Sequence, residues 1–382
     1  MSDPEGYAVY EGPAAGDTIE IEGIQPWCHA APVLYHAVLT LRDADGVLQE
    51  VVPYDIGFRR FEMINGVMCL NGERVVFNGV NRHEWNADRG RAIGADDMHA
   101  AMAVFKKNNI NAVRTCHYPD DARWYSLCDQ YGLYVVAEAN IESHGMGYGE
   151  KTLAKNPLYA KAHLERNERN VQRSINHPSV IIWSLGNEAG DGPNFDACYD
   201  WIKAYDPSRP IHHERAVYSP GSRNTDIICP MYWDYERCEK YLAENPAKPL
   251  IQCEYAHAMG NSMGGFREYW ELIRREPKYQ GGFIWDFVDQ GLARYEKNGR
   301  VSFLYGGDFN NYDATDNSFN CNGIIAPDRT WHPHAYEVKR QYQNIWTELL
   351  DPAQGRVEVY NENFFVGLDD YELTWELVAD GR

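Results

Sequence analysis

The spacing of apolar and polar residues changes twice along the chain and divides it into three parts. Short apolar or alternating stretches separated by turn residues fill 1–61 and return in 349–382, which predicts β structure at both ends. Between them, 62–348 repeats a unit of one short apolar strand, a polar loop and one amphipathic helix. Because crossover helices join parallel strands, the middle part is predicted to be a parallel α/β structure.

Eight strand–helix units fit into the ~285 residues of the middle part, which is the length of a (β/α)₈ TIM barrel. The predicted strands are 75–80, 112–115, 133–140, 180–183, 210–214, 226–229, 249–254 and 281–289. The predicted helices are 96–109, 122–131, 158–175, 195–205, 236–244, 266–275 and 334–344. The few strands expected in each flanking part are too few for an independent sandwich, so the chain is expected to begin and end inside a domain.

Polar residues stand at the predicted carboxyl ends of seven of the eight strands, which is the face where barrels of this type carry their active sites. These residues are His83, Glu84, Arg114, His117, Glu142, His144, Asn187, Glu188, Tyr232, Glu254, His257, Trp285 and Asp286. Taken alone, Glu188 is as easily a rim carboxylate as a catalyst. The coincidence over seven strands favours an active site.

Two glutamates, Glu188 and Glu254, follow the fourth and seventh strands, and such a pair indicates glycoside hydrolysis. Carboxyl groups about 5–5.5 Å apart would give retention, with one residue as acid/base and the other as nucleophile. The alternative is a pair of salt-bridged rim residues. Glu142 and His144 could join Glu188 in a Mg²⁺ site, although a simple hydrogen-bonded pair is the alternative there.

Composition restricts the partner and the compartment. The formal net charge of -20 argues against nucleic acid and anionic membranes as partners. No apolar run reaches the ~20 residues that span a bilayer, and the first residues lack the features of a signal peptide. Nine cysteines without paired spacing are typical of a reduced protein, so a cytoplasmic location is expected.

Six sequence blocks carry a resemblance to a known family. They are Asn-Arg-His-Glu at 81–84, Arg-Thr-Cys-His-Tyr-Pro at 114–119, Glu-Ala-Asn-Ile-Glu-Ser-His-Gly at 138–145, Trp-Ser-Leu-Gly-Asn-Glu at 183–188, Cys-Glu-Tyr-Ala-His-Ala-Met-Gly-Asn-Ser at 253–262 and Gly-Gly-Phe-Ile-Trp-Asp-Phe-Val-Asp at 281–289. Together they resemble the signature blocks of glycoside hydrolase family 2, and in particular its large bacterial β-galactosidases.

This resemblance implies retaining hydrolysis of terminal β-D-galactose residues from lactose-type β-galactosides. It implies that Glu254 is the nucleophile, that Glu188 is the acid/base and that Arg114 supports the nucleophile. Glu142, His144 and Glu188 would bind Mg²⁺, and Phe319 with Asn322 would hold Na⁺ near the sugar. The residues implied to contact galactose are His83, His117, Asn187, Tyr232, His257, Trp285 and Asn322.

The resemblance also implies that both flanking parts are pieces of larger β domains, the first of them immunoglobulin-like. Family members carry further domains that complete the sugar pocket, so a homo-oligomer or a complementing chain is the expected partner. Two other functions stay open. One is β-glucuronidase activity, although the Asn-x-Lys motif for the sugar carboxylate is not evident; the other is an inactive fragment or subunit.

Overall fold

The computed structural model describes residues 1–13, 18–376 and 378. The strands are β1 (Tyr35–Arg42), β2 (Leu48–Ile56), β3 (Phe61–Ile64), β4 (Val67–Leu70), β5 (Glu73–Arg74), β6 (Phe77–Arg82), β7 (Ala112–Thr115), β8 (Tyr134–Glu138), β9 (Val180–Ser184), β10 (Ile211–His212), β11 (Leu250–Tyr255), β12 (Tyr279–Ile284), β13 (Leu292–Tyr295), β14 (Val301–Leu304), β15 (Ile345–Asp351) and β16 (Arg356–Asn361). The helices are α1 (Ala95–Lys107), α2 (Ala122–Tyr131), α3 (Ala160–Ser174), α4 (Pro193–Tyr205), α5 (Tyr235–Ala243), α6 (Phe266–Arg275) and α7 (Pro333–Gln341).

The centre of the fold is a curled parallel sheet in the order β10-β9-β8-β7-β6-β12-β11. The segment 226–231 lies between its two outer strands and hydrogen-bonds to both. The Asp226 amide donates to the Ile211 carbonyl at 2.8 Å, and Ile228 pairs with Leu250. The sheet therefore closes into an eight-membered barrel, which confirms the predicted α/β barrel fold.

The predicted sixth strand is wrong in one respect, because 226–231 forms single bridges and not a continuous ladder. Pro230 has no N–H to donate and interrupts the ladder. Tyr232, which follows, has a left-handed backbone with φ of 51°. The irregular segment brings the Tyr232 amide to the Glu254 carbonyl at 2.9 Å.

The barrel strands are buried on both faces, as the continuous apolar runs predicted. Trp27, Met68 and Leu70 pack with strand residues in a core inside the barrel. A second core lies between the strands and the helices and includes Trp124 and Phe195. The functional residues described below lie at the carboxyl ends of the strands.

The flanking segments form small sheets of their own. β1 and β2 make an antiparallel hairpin, β3–β5 a three-stranded sheet, and β15 and β16 a second hairpin. Sequence patterns did not predict β15, and 371–376, within the predicted final β part, has no regular structure. Residues 377 and 379–382, part of the predicted final β domain, lie outside the described residues. Over the described ranges, no helix is both long and apolar enough to cross a membrane.

Candidate active site

A cleft of about 930 Å³ opens at the carboxyl ends of the barrel strands. Most of the residues predicted from the strand ends and motifs meet in it. It is lined by His83, His117, Glu142, His144, Asn187, Glu188, Tyr232, Glu254, His257, Trp285, Thr315, Asp316, Asn317 and Phe319. Of the other predicted site residues, Arg114 lies buried beneath the cleft and Asn322 is buried beside Phe319.

Arg114, on β7, organises the floor of the cleft. Its guanidinium is fully buried and donates to Glu138 at 2.8 Å, Glu254 at 3.0 Å and the side-chain oxygens of Asn81 at 2.9 Å and Asn187 at 2.8 Å. Burial by itself lowers the pKa of Arg114, but the surrounding acidic groups, with Glu138 foremost, raise it well above its usual value. A permanent positive charge therefore lies against one oxygen of Glu254.

Glu254, near the end of β11, is held by two donors on two oxygens. The Arg114 guanidinium donates to Oε1, and the Tyr232 hydroxyl donates to Oε2 at 2.8 Å. Burial raises the pKa of Glu254, while Arg114, His117 and Tyr232 lower it and leave the net shift upward. Both donors stabilise the ionised carboxylate and fix its orientation, as an attacking carboxylate requires.

Replacing Tyr232 by phenylalanine tests this orientation. The loss of one hydrogen bond to a charged group, about 1.5–3 kcal/mol, should lower kcat by roughly 10- to 100-fold. Because the hydroxyl favours ionised Glu254, its removal raises the pKa of Glu254 and moves the acidic limb of the kcat/KM profile to higher pH. Tyr218→Phe is the matched control, since the Tyr218 hydroxyl bonds to the Met231 backbone. An unchanged acidic limb in Tyr232→Phe would contradict this role.

Glu188 lies beyond the end of β9, where the backbone is locally strained. Gly186 has φ of 147°, and a Cβ there would lie 2.7 Å from the Ile141 carbonyl oxygen, so a side chain at this position is excluded. Glu188 itself has φ of 41°, a left-handed conformation that is uncommon for a residue with a side chain. Such strain is concentrated at functional sites.

The surroundings of Glu188 differ from those of Glu254. The Tyr148 hydroxyl donates to Glu188 at 3.0 Å, and Arg215 approaches the same oxygen at 3.3 Å. The Glu188 amide donates at 2.7 Å to buried Glu214, whose pKa is raised by burial to about 8. The Glu188 side chain is 24% exposed and that of Glu254 is 7% exposed, so Glu188 is the more accessible carboxylate.

Four further residues contact the predicted site residues without having been predicted from the sequence: Glu138, Glu214, Arg215 and Tyr148. Glu138 accepts from Arg114, from the Ser184 hydroxyl at 2.5 Å and from Nδ1 of His117 at 2.8 Å. Burial raises its pKa, against the effect of Arg114. A signal for Glu138 was present, because a lone carboxylate inside an otherwise apolar buried strand needs a charged partner.

One wall of the cleft is built from aromatic and imidazole rings. Trp285 stacks on His117 with ring centroids 5.1 Å apart and an interplanar angle of 6°, and His83 meets the edge of Trp285 at 5.6 Å. Burial lowers the pKa of His117 to about 3 and that of His83 well below its usual value. Both rings are therefore neutral near pH 7 and suited to hydrogen bonds with sugar hydroxyls.

His257 and Phe319 form the opposite part of this wall, with ring centroids 6.1 Å apart. Behind them, the buried Asn322 amide donates to the Phe319 carbonyl. The Asn322 Oδ1 atom is buried without a hydrogen-bond partner. A buried acceptor beside a backbone carbonyl is the chemistry that suits a hard cation.

The predicted Mg²⁺ ligands line the cleft together but are not drawn into one cluster. His144 lies 3.3 Å from Glu188 and its side chain is 62% exposed, while Glu142 accepts from Asn187 at 3.3 Å. Within the described ranges, these three side chains do not place one donor atom each within 4.8 Å of one another. Burial raises the pKa of Glu142, and the nearby carboxylates of Glu138 and Glu188 raise it further.

Comparison with known proteins places this site in a family. The chain is 44% identical to a β-galactosidase of Pectobacterium atrosepticum over 93% of its length, and 44% identical to one of Alteromonas mediterranea over 96%. It spans only about 35% of the length of these relatives. Among solved structures, a β-glucuronidase from Ruminococcus gnavus superposes with a TM-score of 0.73 at 20% identity, covering 90% of this chain and 62% of that one. A likeness at this identity shows the fold alone.

The sequence also matches the family described as "Glycosyl hydrolases family 2, TIM barrel domain" over residues 61–347. This match covers the barrel and the strand ends that carry the cleft. The chain therefore belongs to glycoside hydrolase family 2.

Proposed function

We propose that the chain is the catalytic part of a retaining β-galactosidase, which cleaves terminal β-D-galactose from lactose-type β-galactosides. The arrangement at Glu254 carries this proposal, because Arg114 and Tyr232 hold that carboxylate as an oriented anion while Glu188 lines the same cleft. The 44% identity to β-galactosidases over nearly the whole chain supports the substrate class.

In this reaction the two glutamates act in sequence. Glu254 attacks the anomeric carbon while Glu188 donates its proton to the leaving oxygen. Glu188 then removes a proton from water as the water oxygen attacks the anomeric carbon and breaks its bond to Glu254, so galactose leaves with its original configuration. The neutral rings of His83 and His117 and the Trp285 face are placed to contact the sugar, together with Asn187 and His257. Arg114 donates to Glu254 and stabilises the carboxylate anion that attacks and is later released.

A neutral sugar fits the lining better than a uronic acid. Recognition of a glucuronide carboxylate calls for a cation, and the described residues that line the cleft include neither lysine nor arginine. The test compares hydrolysis of aryl β-galactoside with aryl β-glucuronide, and Glu254→Gln protein serves as the background control. A preference for the glucuronide would overturn the assignment.

A second candidate is an inactive subunit that needs a partner, and the observation behind it is the apolar surface of two hairpins. The β1–β2 hairpin exposes apolar side chains, with Val38 at 60% and Leu41 at 59%, and β15–β16 exposes Leu349 at 57%. Exposed apolar surface of this kind marks an interaction site. We propose that these hairpins belong to immunoglobulin-like β domains and that their exposed apolar side chains contact a second copy of the chain or a complementing chain.

Sodium is the proposed occupant of the site at Asn322 and Phe319. The buried, unpartnered Oδ1 of Asn322 and the adjacent Phe319 carbonyl offer two neutral oxygen ligands. A monovalent ion there would present a positive charge to a sugar hydroxyl. Asn322 also fixes the strand end, because its carbonyl accepts from the Asp286 amide at 2.8 Å.

Glu142, His144 and Glu188 are the proposed ligands of a Mg²⁺ ion. Two carboxylates among three donors suit this hard cation. Burial raises the pKa of Glu142, with smaller contributions from Glu138 and Glu188, and a divalent charge would offset both the burial and the repulsion. The exposed His144 ring would have to turn towards the two carboxylates.

Replacing Glu142 by glutamine should weaken this metal response. Mg²⁺ should restore activity to chelated wild-type protein, whereas Glu142→Gln should need at least about tenfold more Mg²⁺ for half-maximal recovery. Isothermal titration with Mg²⁺ gives a second readout that does not depend on activity. Glu150→Gln, on an exposed carboxylate bonded to Lys155, is the control. Equal Mg²⁺ requirements in all three proteins would contradict the site.

All nine cysteines are free in the structure, and eight are buried. Free thiols are typical of a reducing compartment, which supports the proposal of a cytoplasmic enzyme.

A further inference from the structure

Three donor side chains of a different kind meet at the His83 side of the cleft. His83, Cys116 and His117 each place one donor atom so that all three lie within 4.8 Å of one another. Among the described residues this is the one such group of three histidine, cysteine or acidic side chains. Two of these residues line the cleft, and the Cys116 side chain is fully buried behind them.

Strand register explains why they meet. β6 and β7 are parallel neighbours, and Arg82 at the end of β6 pairs with Thr115 at the end of β7. The next residues, His83 and Cys116, are therefore adjacent across the two strands. His117 follows at once in the chain, so two imidazoles and one thiol converge at the same edge.

Hydrogen bonds at Nδ1 leave the other ring nitrogen of both histidines available to bind a metal. Nδ1 of His117 is hydrogen-bonded to the buried Glu138 carboxylate at 2.8 Å, and Nδ1 of His83 lies 3.3 Å from the Tyr118 hydroxyl. These contacts leave Nε2 as the free nitrogen of each ring. A carboxylate on the far nitrogen is the usual support of a metal-binding histidine. Burial keeps both rings neutral, as ligation requires.

Charges of both signs surround the group, because Arg114 and Arg91 act on both rings and two carboxylates lie beside His117. Glu138 lies against one nitrogen of His117, and Glu254 lies 3.9 Å from the other. A tetrahedral Zn²⁺ with N and S ligands needs donor atoms about 3.4–3.6 Å apart, so shifts of about 1 Å would complete the geometry. Binding forms a metal–sulfur bond and releases the Cys116 thiol proton to solvent.

We propose that His83, Cys116 and His117 form a binding site for a thiophilic divalent cation of the Zn²⁺ type, with its fourth position open to the cleft. The ion would occupy space that the proposed function gives to the sugar and would lie near Glu254. Zn²⁺ is therefore an inhibitor that competes with the substrate. The binding part of this proposal stands without the proposed function, and only the inhibition rests on it.

The test is a titration of the metal-free chain with Co²⁺, a spectroscopic substitute for Zn²⁺, followed by displacement with ZnCl₂. A sulfur-to-cobalt charge-transfer band should appear in the wild type, and Cys116→Ser should abolish it and weaken Zn²⁺ binding at least about tenfold. Cys321→Ser is the matched control, because Cys321 is the most exposed cysteine. It should keep both the band and the affinity.

Glu142→Gln is a second control, since the proposed Mg²⁺ site contains no sulfur and cannot produce this band. X-ray absorption of the Zn²⁺-bound wild type should show one sulfur at about 2.3 Å and two nitrogens at about 2.0–2.1 Å, a result that needs no variant to fold. Absence of the band from the wild type, its persistence in Cys116→Ser or its loss in Cys321→Ser would overturn the site.

Steady-state kinetics test whether Zn²⁺ inhibits hydrolysis by competing with the substrate. Zn²⁺ should raise KM for aryl β-galactoside without lowering kcat, and Cys116→Ser should require at least about tenfold more Zn²⁺ for the same effect. If the protein shows the charge-transfer band but hydrolyses no galactoside, the metal site stands and the proposed function fails. If the protein hydrolyses galactoside but shows no charge-transfer band, the proposed function stands and the metal site fails.

Discussion

Replacing Glu254 by alanine is expected to reduce hydrolysis of an aryl β-galactoside by about 10⁴-fold or more. The residue is the proposed nucleophile, and neither Arg114 nor Tyr232, which hold its two oxygens, can form the glycosyl intermediate in its place. The measurement is kcat/KM with purified protein whose thermal unfolding midpoint is checked beside the wild type. Glu84→Ala is the matched control, because Glu84 lies at the end of a barrel strand but does not line the cleft.

Azide distinguishes a lost nucleophile from a damaged site. In the Glu254→Ala protein, azide can enter the vacated space and attack the anomeric carbon directly, which inverts its configuration. The expected product is therefore α-galactosyl azide. Formation of the β-azide, or a Glu84→Ala protein as inactive as Glu254→Ala, would contradict the role of Glu254.

Replacing Glu188 by alanine is expected to have an effect that depends on the leaving group. A phenol of high pKa needs a proton as it leaves, so its release should slow by about 10²–10⁴-fold. Dinitrophenolate leaves without protonation, so the first step with that substrate should be nearly as fast as in the wild type. Pre-steady-state bursts with the two substrates measure this difference.

The same variant accumulates the glycosyl intermediate, because no base remains to activate water. Azide should attack that intermediate from the face that Glu188 occupied and yield β-galactosyl azide. Glu214→Gln is the comparison, since buried Glu214 accepts from the backbone amide of Glu188 and from the Arg215 side chain but does not bond to the Glu188 carboxylate. It should keep a dependence on the leaving group close to that of the wild type. Equal losses with both leaving groups in Glu188→Ala would contradict an acid/base role.

Sequence patterns predicted the barrel well where the strands are continuous. β9 is an apolar run that is buried along its whole length, and burial on both faces leaves little ambiguity in its assignment as a strand. The prediction of a continuous sixth strand failed because the geometry of this segment depends on Pro230 and on single bridges to the neighbouring strands. β15 was missed because its burial is slight and its alternation weak.

The residue types at the strand ends and the family motifs predicted most of the side chains that line the cleft. His83 and Trp285 follow strands directly and Glu254 is the last residue but one of β11, so the parallel arrangement places them at one edge. Arg215 and Tyr148 reach Glu188 from loops whose paths have no periodic signal. Their approach is decided by tertiary packing, as in the stacking of the Arg215 guanidinium 3.6 Å over the Tyr148 ring.

The most direct test of the central claim is covalent labelling with an aryl 2-deoxy-2-fluoro-β-galactoside, read by intact mass and peptide mapping. The chain should gain one fluorogalactosyl group, on the peptide that contains Glu254, and Glu254→Gln should gain none. The assay is run alone and with the N-terminal domain of a β-galactosidase relative added in trans. A label confined to another residue, or none in either arm from folded protein, would contradict the account.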